Sequence, residues 1–71
     1  MAASLKRRFG RRIKELRHKS GLTQVELADK LGLSRSYLAD IEAGNRNVGL
    51  ENLKVLADGF DLNLSELFLG V

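Results

Sequence analysis

Basic side chains are concentrated at one end of the sequence. Within residues 1–20, eight lysine and arginine side chains face a single acidic residue, Glu15. The rest of the chain holds four basic and eight acidic side chains and is therefore mildly acidic. A basic segment attached to an acidic body indicates a polyanionic partner, either nucleic acid or an anionic membrane surface. The charges alone leave a third interpretation open, in which they only solvate a helix surface.

Side chains suited to catalysis or metal binding are scarce. The chain has no cysteine, and its one histidine, His18, lies in a cluster of lysine and arginine. A catalytic nucleophile needs a nearby base and a third group that orients the base. His18 could be such a base, but its basic neighbours offer neither a nucleophile nor an acidic group to orient it. Glycine-rich phosphate loops and metal-ligand spacings are also missing from the sequence. We therefore expect no enzyme activity, no catalytic residues, no metal site and no cofactor.

The length of 71 residues is enough for a single domain, which we expect to span residues 1–71. Without cysteine the domain cannot be held by disulfides, so its core must come from aliphatic packing. No apolar run approaches the roughly 20 residues that cross a bilayer, and residues 1–20 are too charged for a secretory signal. These features predict a protein that stays in the cytoplasm, with no membrane partner.

Apolar spacing predicts five helices and no strand. Leu5, Phe9, Ile13 and Leu16 form a stripe with helical period, which predicts a first helix from about Leu5 to Lys19 that contributes this stripe to the core. A second helix is expected to end near residue 31, a third to span residues 35 to about 43, a fourth to cover about residues 50–60, and a short fifth to cover residues 64–69. Glycines at positions 21, 32 and 44 follow the first three helices, where a left-handed residue commonly ends a helix.

A helix-start pattern occurs three times. In residues 22–27, Thr23 can cap the second helix while Glu26 reaches back to the Thr23 amide. Similar patterns occupy residues 33–38 and 62–67. In the middle copy Tyr37 replaces the capping glutamate, so the third helix loses one reciprocal hydrogen bond where a side chain can serve another purpose.

Residues 24–43 have the features that two closely crossing helices require, namely small Ala28, a glycine turn at Gly32, and apolar Leu38 and Ile41 beneath the third helix. Together with the sequence TQVELA at 23–28 and IEAGNRN at 41–47, these features resemble the lambda Cro and repressor family of helix-turn-helix regulators. The resemblance covers about residues 9–68. It implies an all-α, compact five-helix, lambda repressor-like domain, with its helix-turn-helix at about residues 24–43, that acts as a sequence-specific DNA-binding transcriptional regulator.

Within that family, the chain is most similar to the controller proteins of restriction-modification systems. This narrower resemblance depends on the compact size and on the sequences RSYL at 35–38 and NRN at 45–47. Prophage repressors and antitoxins share most of these residues. A prophage-type repressor and the antitoxin of a toxin-antitoxin pair therefore stay open as alternatives.

The resemblance implies that the third helix enters the major groove of DNA. Its N-terminal and outward positions would then meet base edges, and these are Arg35, Ser36, Tyr37 and Asp40. Arg35 is the leading base reader because its guanidinium matches guanine O6 and N7. Phosphate contacts are expected from Gln24, Ser34, Asn45, Arg46 and Asn47.

Two further sets of basic residues have different expected roles. The family often joins the positions of Arg17 and Glu42 by a partly buried ion pair, which would orient the recognition helix. Of Arg8, Arg11 and Arg12, one or two are expected to approach phosphates, and the others would act by long-range attraction.

One recognition helix covers too few base pairs for a unique genomic address, so we expect a homodimer on a pseudo-palindromic operator in double-stranded DNA. The predicted dimer interface consists of Val55, Leu64, Phe68 and Leu69. Alternatively, Phe68 closes the core of the monomer. RNA polymerase is a further partner if the regulator activates transcription.

Membrane-surface binding and RNA binding are rival uses of the basic first helix. Against both uses, the apolar stripe of that helix is needed for the core. RNA-binding proteins also usually expose aromatic side chains, and this chain has few candidates beyond Tyr37.

Overall fold

The computed structural model describes residues 3–71, and within that range it consists of five α-helices without a β-strand. The helices are α1 (Leu5–Lys19), α2 (Gln24–Leu31), α3 (Arg35–Glu42), α4 (Leu50–Gly59) and α5 (Leu64–Leu67). The predicted all-α class and the order of the five helices are confirmed. Among these residues no helix is long and apolar enough to cross a membrane.

The helix starts are fixed by side-chain caps close in sequence. The Thr23 hydroxyl accepts from the Glu26 amide at 3.1 Å, and the Glu26 carboxylate accepts from the Thr23 amide at 2.8 Å, which completes the predicted capping box. Asn63 and Glu66 form the same reciprocal pair at α5. At α3 the Ser34 hydroxyl accepts from the Tyr37 amide alone. The caps therefore place the starts of α2, α3 and α5 where local sequence predicts them.

Helix α5 is shorter than predicted, because it ends at Leu67 and a turn follows at residues 68–70. The Arg12 guanidinium donates to the carbonyl oxygens of Glu66 and Leu67, at 2.7 and 3.1 Å. Gly70 has a left-handed φ of +80°. A distant arginine thus satisfies the last carbonyls of α5 in place of a further helical turn.

The core contains apolar side chains from all five helices. Its buried members are Phe9, Ile13, Leu27, Ala28, Leu38, Ile41, Leu56, Ala57 and Leu67. The prediction that Leu5 belongs to the core stripe is wrong, because Leu5 is 62% exposed. It lies in the first turn of α1, ahead of the part of that helix that the other helices cover.

Helix α1 packs directly on α3, and Gly10 makes the close approach between them feasible. A Cβ atom at position 10 would overlap the Ile41 carbonyl oxygen and lie 2.8 Å from that of Glu42. Helix α2 also packs on α3, while α4 packs on α2 and α5. Helix α3 is therefore held by both α1 and α2.

Candidate nucleic-acid interface

Helix α3 follows α2 after only residues 32–34, and the two helices pack on each other. A turn of this length is typical of the helix-turn-helix motif. Gly32 has a left-handed φ of +69°, which ends α2 and lets the chain turn. Leu38 and Ile41 anchor α3 to the core. The geometry of a helix-turn-helix motif is therefore present at residues 24–42.

The outward face of α3 is formed by residues opposite this apolar anchor. Ser36 and Ala43 are exposed, and Ala39 and Asp40 are partly exposed. Ser36 and Asp40 were predicted from the sequence as base-reading residues, whereas the two alanines were not. Their helical spacing from Ser36 was the available signal. The small side chains leave the backbone of this face accessible from outside.

Arg35 occupies the first position of α3 and is exposed. Within residues 3–71, no carboxylate oxygen lies within 4.0 Å of its guanidinium. The five N–H donors of such a group are free for an external acceptor. Ser34, which was predicted to bind phosphate, uses its hydroxyl as the N-cap of the same helix.

Tyr37 is held between α3 and α4. Its hydroxyl accepts a hydrogen bond from Asn52 Nδ2 at 3.0 Å, and its half-buried ring packs against the core. Asn52 was not predicted from the sequence, because only the tertiary fold brings it next to residue 37. The phenolic oxygen can still donate its proton outward.

Arg46 lies against Tyr37 and Asp40. The guanidinium carbon is 5.1 Å from the centre of the Tyr37 ring, and Nε is 3.5 Å from Asp40 Oδ2. The Arg46 and Asp40 side chains are 50% and 47% exposed, so both are reachable from outside. We call these three residues the Arg46 cluster. It connects the outward side of α3 to the loop that follows it.

Arg17 and Glu42 form a buried ion pair between α1 and α3. Arg17 Nε and Nη2 donate to the two carboxylate oxygens of Glu42 at 2.7 and 3.0 Å. The exposed fractions of these side chains are 9% and 4%. The hydrogen bond with Glu42 raises the pKa of the Arg17 guanidinium above its ordinary value. The structure thus brings together the two residues that the family resemblance pairs.

Gln24, a predicted phosphate contact, belongs to the same network. Its Nε2 donates to Glu42 Oε1 at 3.2 Å, and the residue is half-buried at the first position of α2. Arg17 also donates to the carbonyl oxygen of Leu22, just before this helix. Helices α1, α2 and α3 are therefore linked at one point by hydrogen bonds to charged groups.

The loop after α3 presents polar side chains. Asn45, Arg46 and Asn47 are all exposed. The backbone amide of Asn45 donates to the Asp40 carbonyl oxygen at 2.9 Å, which closes the end of α3. Gly44 has a left-handed φ of +79° and lies directly against Arg7. The start of the loop is thus fixed against α1.

The predicted roles of the α1 arginines need one correction. Arg12 was a candidate for phosphate binding, but its guanidinium caps the end of α5 and is half-buried there. Arg8 and Arg11 are exposed.

The predicted dimer residues have unequal exposure. Leu69 is 69% and Leu64 41% exposed, whereas Val55 is half-buried. The Phe68 ring stacks on Phe9 with 5.0 Å between ring centres and packs against the core. Phe68 therefore contributes to the monomer core, as the alternative interpretation of this residue expected, while Leu64 and Leu69 lie outside that core.

Within the described range, 3–71, no three histidine or carboxylate side chains come together in a group that could hold a metal ion. Exposed side chains with hydrogen-bond donors lie on and just after α3, at Arg35, Ser36, Asn45, Arg46 and Asn47.

Residues 13–67 match the model of the helix-turn-helix family. The control protein C.MunI from Mycoplasma sp is 45% identical over 65 residues, which cover 90% of this chain and 88% of that protein. Among solved structures, the restriction-modification controller protein C.AhdI from Aeromonas hydrophila has a TM-score of 0.83 at 47% identity, covering 87% of this chain and 94% of that chain. The controller protein C.Esp1396I, solved as a tetramer in complex with its natural 35 base-pair operator, has a TM-score of 0.83 at 29% identity, covering 96% of this chain and 90% of that chain.

Proposed function

The chain belongs to the helix-turn-helix family, and from this premise we propose that it is a DNA-binding transcriptional regulator of the restriction-modification controller class. It binds a pseudo-palindromic operator as a homodimer. Support for this class comes from C.MunI and C.AhdI, since the chain matches most of the length of both proteins at 45% and 47% identity. Such a regulator acts in the cytoplasm, where its operator lies.

The observation on which the proposal chiefly depends is Arg35. This guanidinium is exposed at the N-terminal end of a helix whose position is fixed by two buried apolar anchors, Leu38 and Ile41. An exposed guanidinium at the start of an anchored helix that fits the major groove is suited to bidentate contact with guanine. A good contact of this kind contributes about 1–3 kcal/mol of discrimination between bases.

The surroundings of Arg35 suit the positioning contacts that such reading requires. In this proposal the small side chains of Ser36, Ala39 and Ala43 let α3 lie deep in the groove. Gln24 and the loop at residues 45–47 adjoin α3, through the contacts of Gln24 with Glu42 and of Arg46 with Asp40. Contacts from those flanking groups to phosphates fix the register of the helix on the duplex without reading sequence. In this proposal, Arg46 supplies the strongest of them.

A second subunit doubles the length of operator that is read. We assign the interface to the exposed Leu64 and Leu69 together with Val55, all outside the packed core of the monomer. Removing these apolar side chains from water favours association, at roughly 25 cal/mol per Å² of buried apolar surface. The sign of regulation, and any contact with RNA polymerase, then follow from where the operator lies relative to a promoter.

The test is selection from a library of random duplex DNA. The wild-type protein should enrich a sequence with two-fold symmetry, and Arg35→Ala should lose that preference while still binding duplex DNA. Arg8→Ala is the matched control, because it removes an exposed arginine from the side of α1 that faces the C-terminal turn. The proposal fails if the wild type enriches no symmetric sequence. If Arg35→Ala enriches the same sequence as the wild type, the assignment of Arg35 is wrong.

Antitoxins of the same fold are distinguished by purification from the native host. Recovery of the chain with a second protein in stoichiometric amount would contradict the controller assignment.

A further inference from the structure

A row of basic side chains runs along α1 where this helix borders the C-terminal end of α3. Arg7, Arg11 and Lys14 follow at spacings of four and three residues, so they share one side of the helix. All three are exposed, and together with Glu42 and Ala43 they line a groove between the two helices. We call these three residues the α1 basic row.

Two glycines fix this row beside α3. Gly10 lies against the carbonyl oxygens of Ile41 and Glu42, so the backbone of α1 approaches the last turn of α3 without an intervening side chain. Gly44 lies against Arg7 in the same manner, since a Cβ atom there would be 2.8 Å from the Arg7 Cα atom. The row is therefore continuous with the outward face of α3, and Ala43 belongs to both.

None of the three side chains of the row forms a close ion pair within residues 3–71. In the part of the chain that the structure describes, no carboxylate oxygen lies within 4.0 Å of the Arg7, Arg11 or Lys14 nitrogens. Glu42 lines the same groove, but its oxygens accept from Arg17 and Gln24. Three cationic side chains thus converge on a groove whose only carboxylate is already bonded.

We propose that the α1 basic row binds the phosphate backbone that borders the major groove occupied by α3, and this inference rests on the proposed function. The major groove is about 12 Å wide, so elements that flank an inserted helix lie over phosphates. Lysine and arginine side chains there release counterions from the DNA. The row would extend the phosphate contacts beyond Gln24 and the loop at 45–47. It includes Arg11, one of the three α1 arginines of which one or two were expected to approach phosphates.

A structural role is the competing explanation. Basic side chains near the C-terminal end of a helix are favoured by the helix dipole, and the row lies at that end of α3. If this were its purpose, removing the charges would destabilise the fold without changing how DNA binding depends on salt.

The test compares two variants with the same change in net charge. One is Arg7→Gln/Arg11→Gln/Lys14→Gln. The control is Arg8→Gln/Lys19→Gln/Lys30→Gln, which removes three exposed charges outside this groove. Binding to a labelled duplex of random sequence is measured by fluorescence anisotropy between about 50 and about 200 mM salt. The slope of log K against the logarithm of the salt concentration is negative, and each phosphate contact increases its magnitude by about 0.9. We therefore expect the magnitude of the slope to fall by about 2 to 3 in the row variant and by less than about one in the control.

A charge-preserving variant, Arg7→Lys/Arg11→Lys, should keep the wild-type slope. Urea unfolding of all four proteins shows whether each is folded under the binding conditions. Equal losses of slope in the row variant and the control would overturn the inference in favour of long-range attraction. A row variant with lower stability and an unchanged slope would overturn it in favour of the helix-dipole role. Failure of the wild type to bind any duplex would instead overturn the proposed function, and the inference with it.

Discussion

The Arg46 guanidinium lies over the Tyr37 ring, with 5.1 Å between its central carbon and the ring centre. Asp40 lies on the same side of α3 and holds Arg46 Nε at 3.5 Å. The residue proposed to make the strongest phosphate contact is thus bound to two side chains of α3. Because both charged side chains are about half exposed, 50% and 47%, the pair can open at small cost.

Asp40→Asn is predicted to strengthen binding to duplex DNA of random sequence. The substitution releases Arg46 and removes a negative charge from the surface that faces the phosphates. An exposed ion pair contributes about 0.2–1 kcal/mol, so affinity should rise by a factor of up to about five, as measured by fluorescence anisotropy. Asp58→Asn is the control, because Asp58 forms a similar exposed pair with Lys54 on α4. Unchanged or weaker binding by Asp40→Asn would show that Asp40 does not restrain Arg46.

Local sequence predicted the helices well because their ends depend on neighbouring residues. Thr23 and Glu26 are three residues apart and form their capping box with each other. Gly32 takes the left-handed conformation that its position after α2 indicated. These interactions need no knowledge of the tertiary fold, so sequence patterns identify them.

The partners of the site residues were harder to predict because tertiary packing selects them. Asn52 donates to Tyr37 from α4, and nothing in the sequence near either residue indicates the other. In the sequence, Arg12 does not differ from the other basic residues of α1, and only the tertiary fold brings the end of α5 next to it. The Arg17–Glu42 pair was found only through family resemblance, because periodicity alone does not match a residue of α1 to one of α3.

Stability should depend on pH through Glu26. The hydrogen bond from the Thr23 amide lowers the pKa of this carboxyl below its ordinary value of 4.5. A lowered pKa in the folded state means that the ionised form adds stability above about pH 4.5, and this stability is lost as pH falls through the folded pKa. Glu26→Gln keeps an acceptor in the capping box but cannot ionise. Urea unfolding at pH 7 should therefore show that the wild type is more stable than Glu26→Gln. This difference in the free energy of unfolding should disappear in acid.

Glu15→Gln provides the comparison for Glu26, because it removes an exposed carboxylate of α1 that caps no helix. If the difference between the wild type and Glu26→Gln is the same at neutral and acid pH, the capping carboxylate does not couple protonation to folding.

Gly10→Ala should destabilise the protein and displace α3. The added Cβ would overlap the Ile41 carbonyl oxygen, and a backbone atom cannot move aside without shifting the recognition helix. Overpacking of this kind costs about 1–3 kcal/mol, against a gain of up to about 1 kcal/mol in helix propensity. Urea unfolding and binding to random duplex DNA should both show a loss.

Gly59→Ala is the matched control for Gly10→Ala. Gly59 is also a helical glycine, but a Cβ there would meet the end of the flexible Leu31 side chain. Its effect on the free energy of unfolding should stay within about 1 kcal/mol. Equal effects of the two alanines would mean that helix propensity, rather than the close approach of α1 to α3, determines the outcome.

Glu42→Gln should cause the largest loss of stability among these variants. Glu42 and Arg17 are both buried, and Arg17 Nε lies 2.7 Å from the carboxylate. The amide oxygen of glutamine can replace only one of the two carboxylate oxygens that accept from Arg17, and its NH2 group would face the other donor. The guanidinium charge is then uncompensated, and breaking a buried pair in this way costs about 3–5 kcal/mol. Urea unfolding measures the change, with Asp58→Asn as the control, since an exposed pair contributes about 0–1 kcal/mol.

DNA binding by Glu42→Gln should fall even where the protein is still folded, because the network that includes Gln24 also positions α3. A stability loss no greater than that of Asp58→Asn would show that water screens the pair and that packing alone positions the helix.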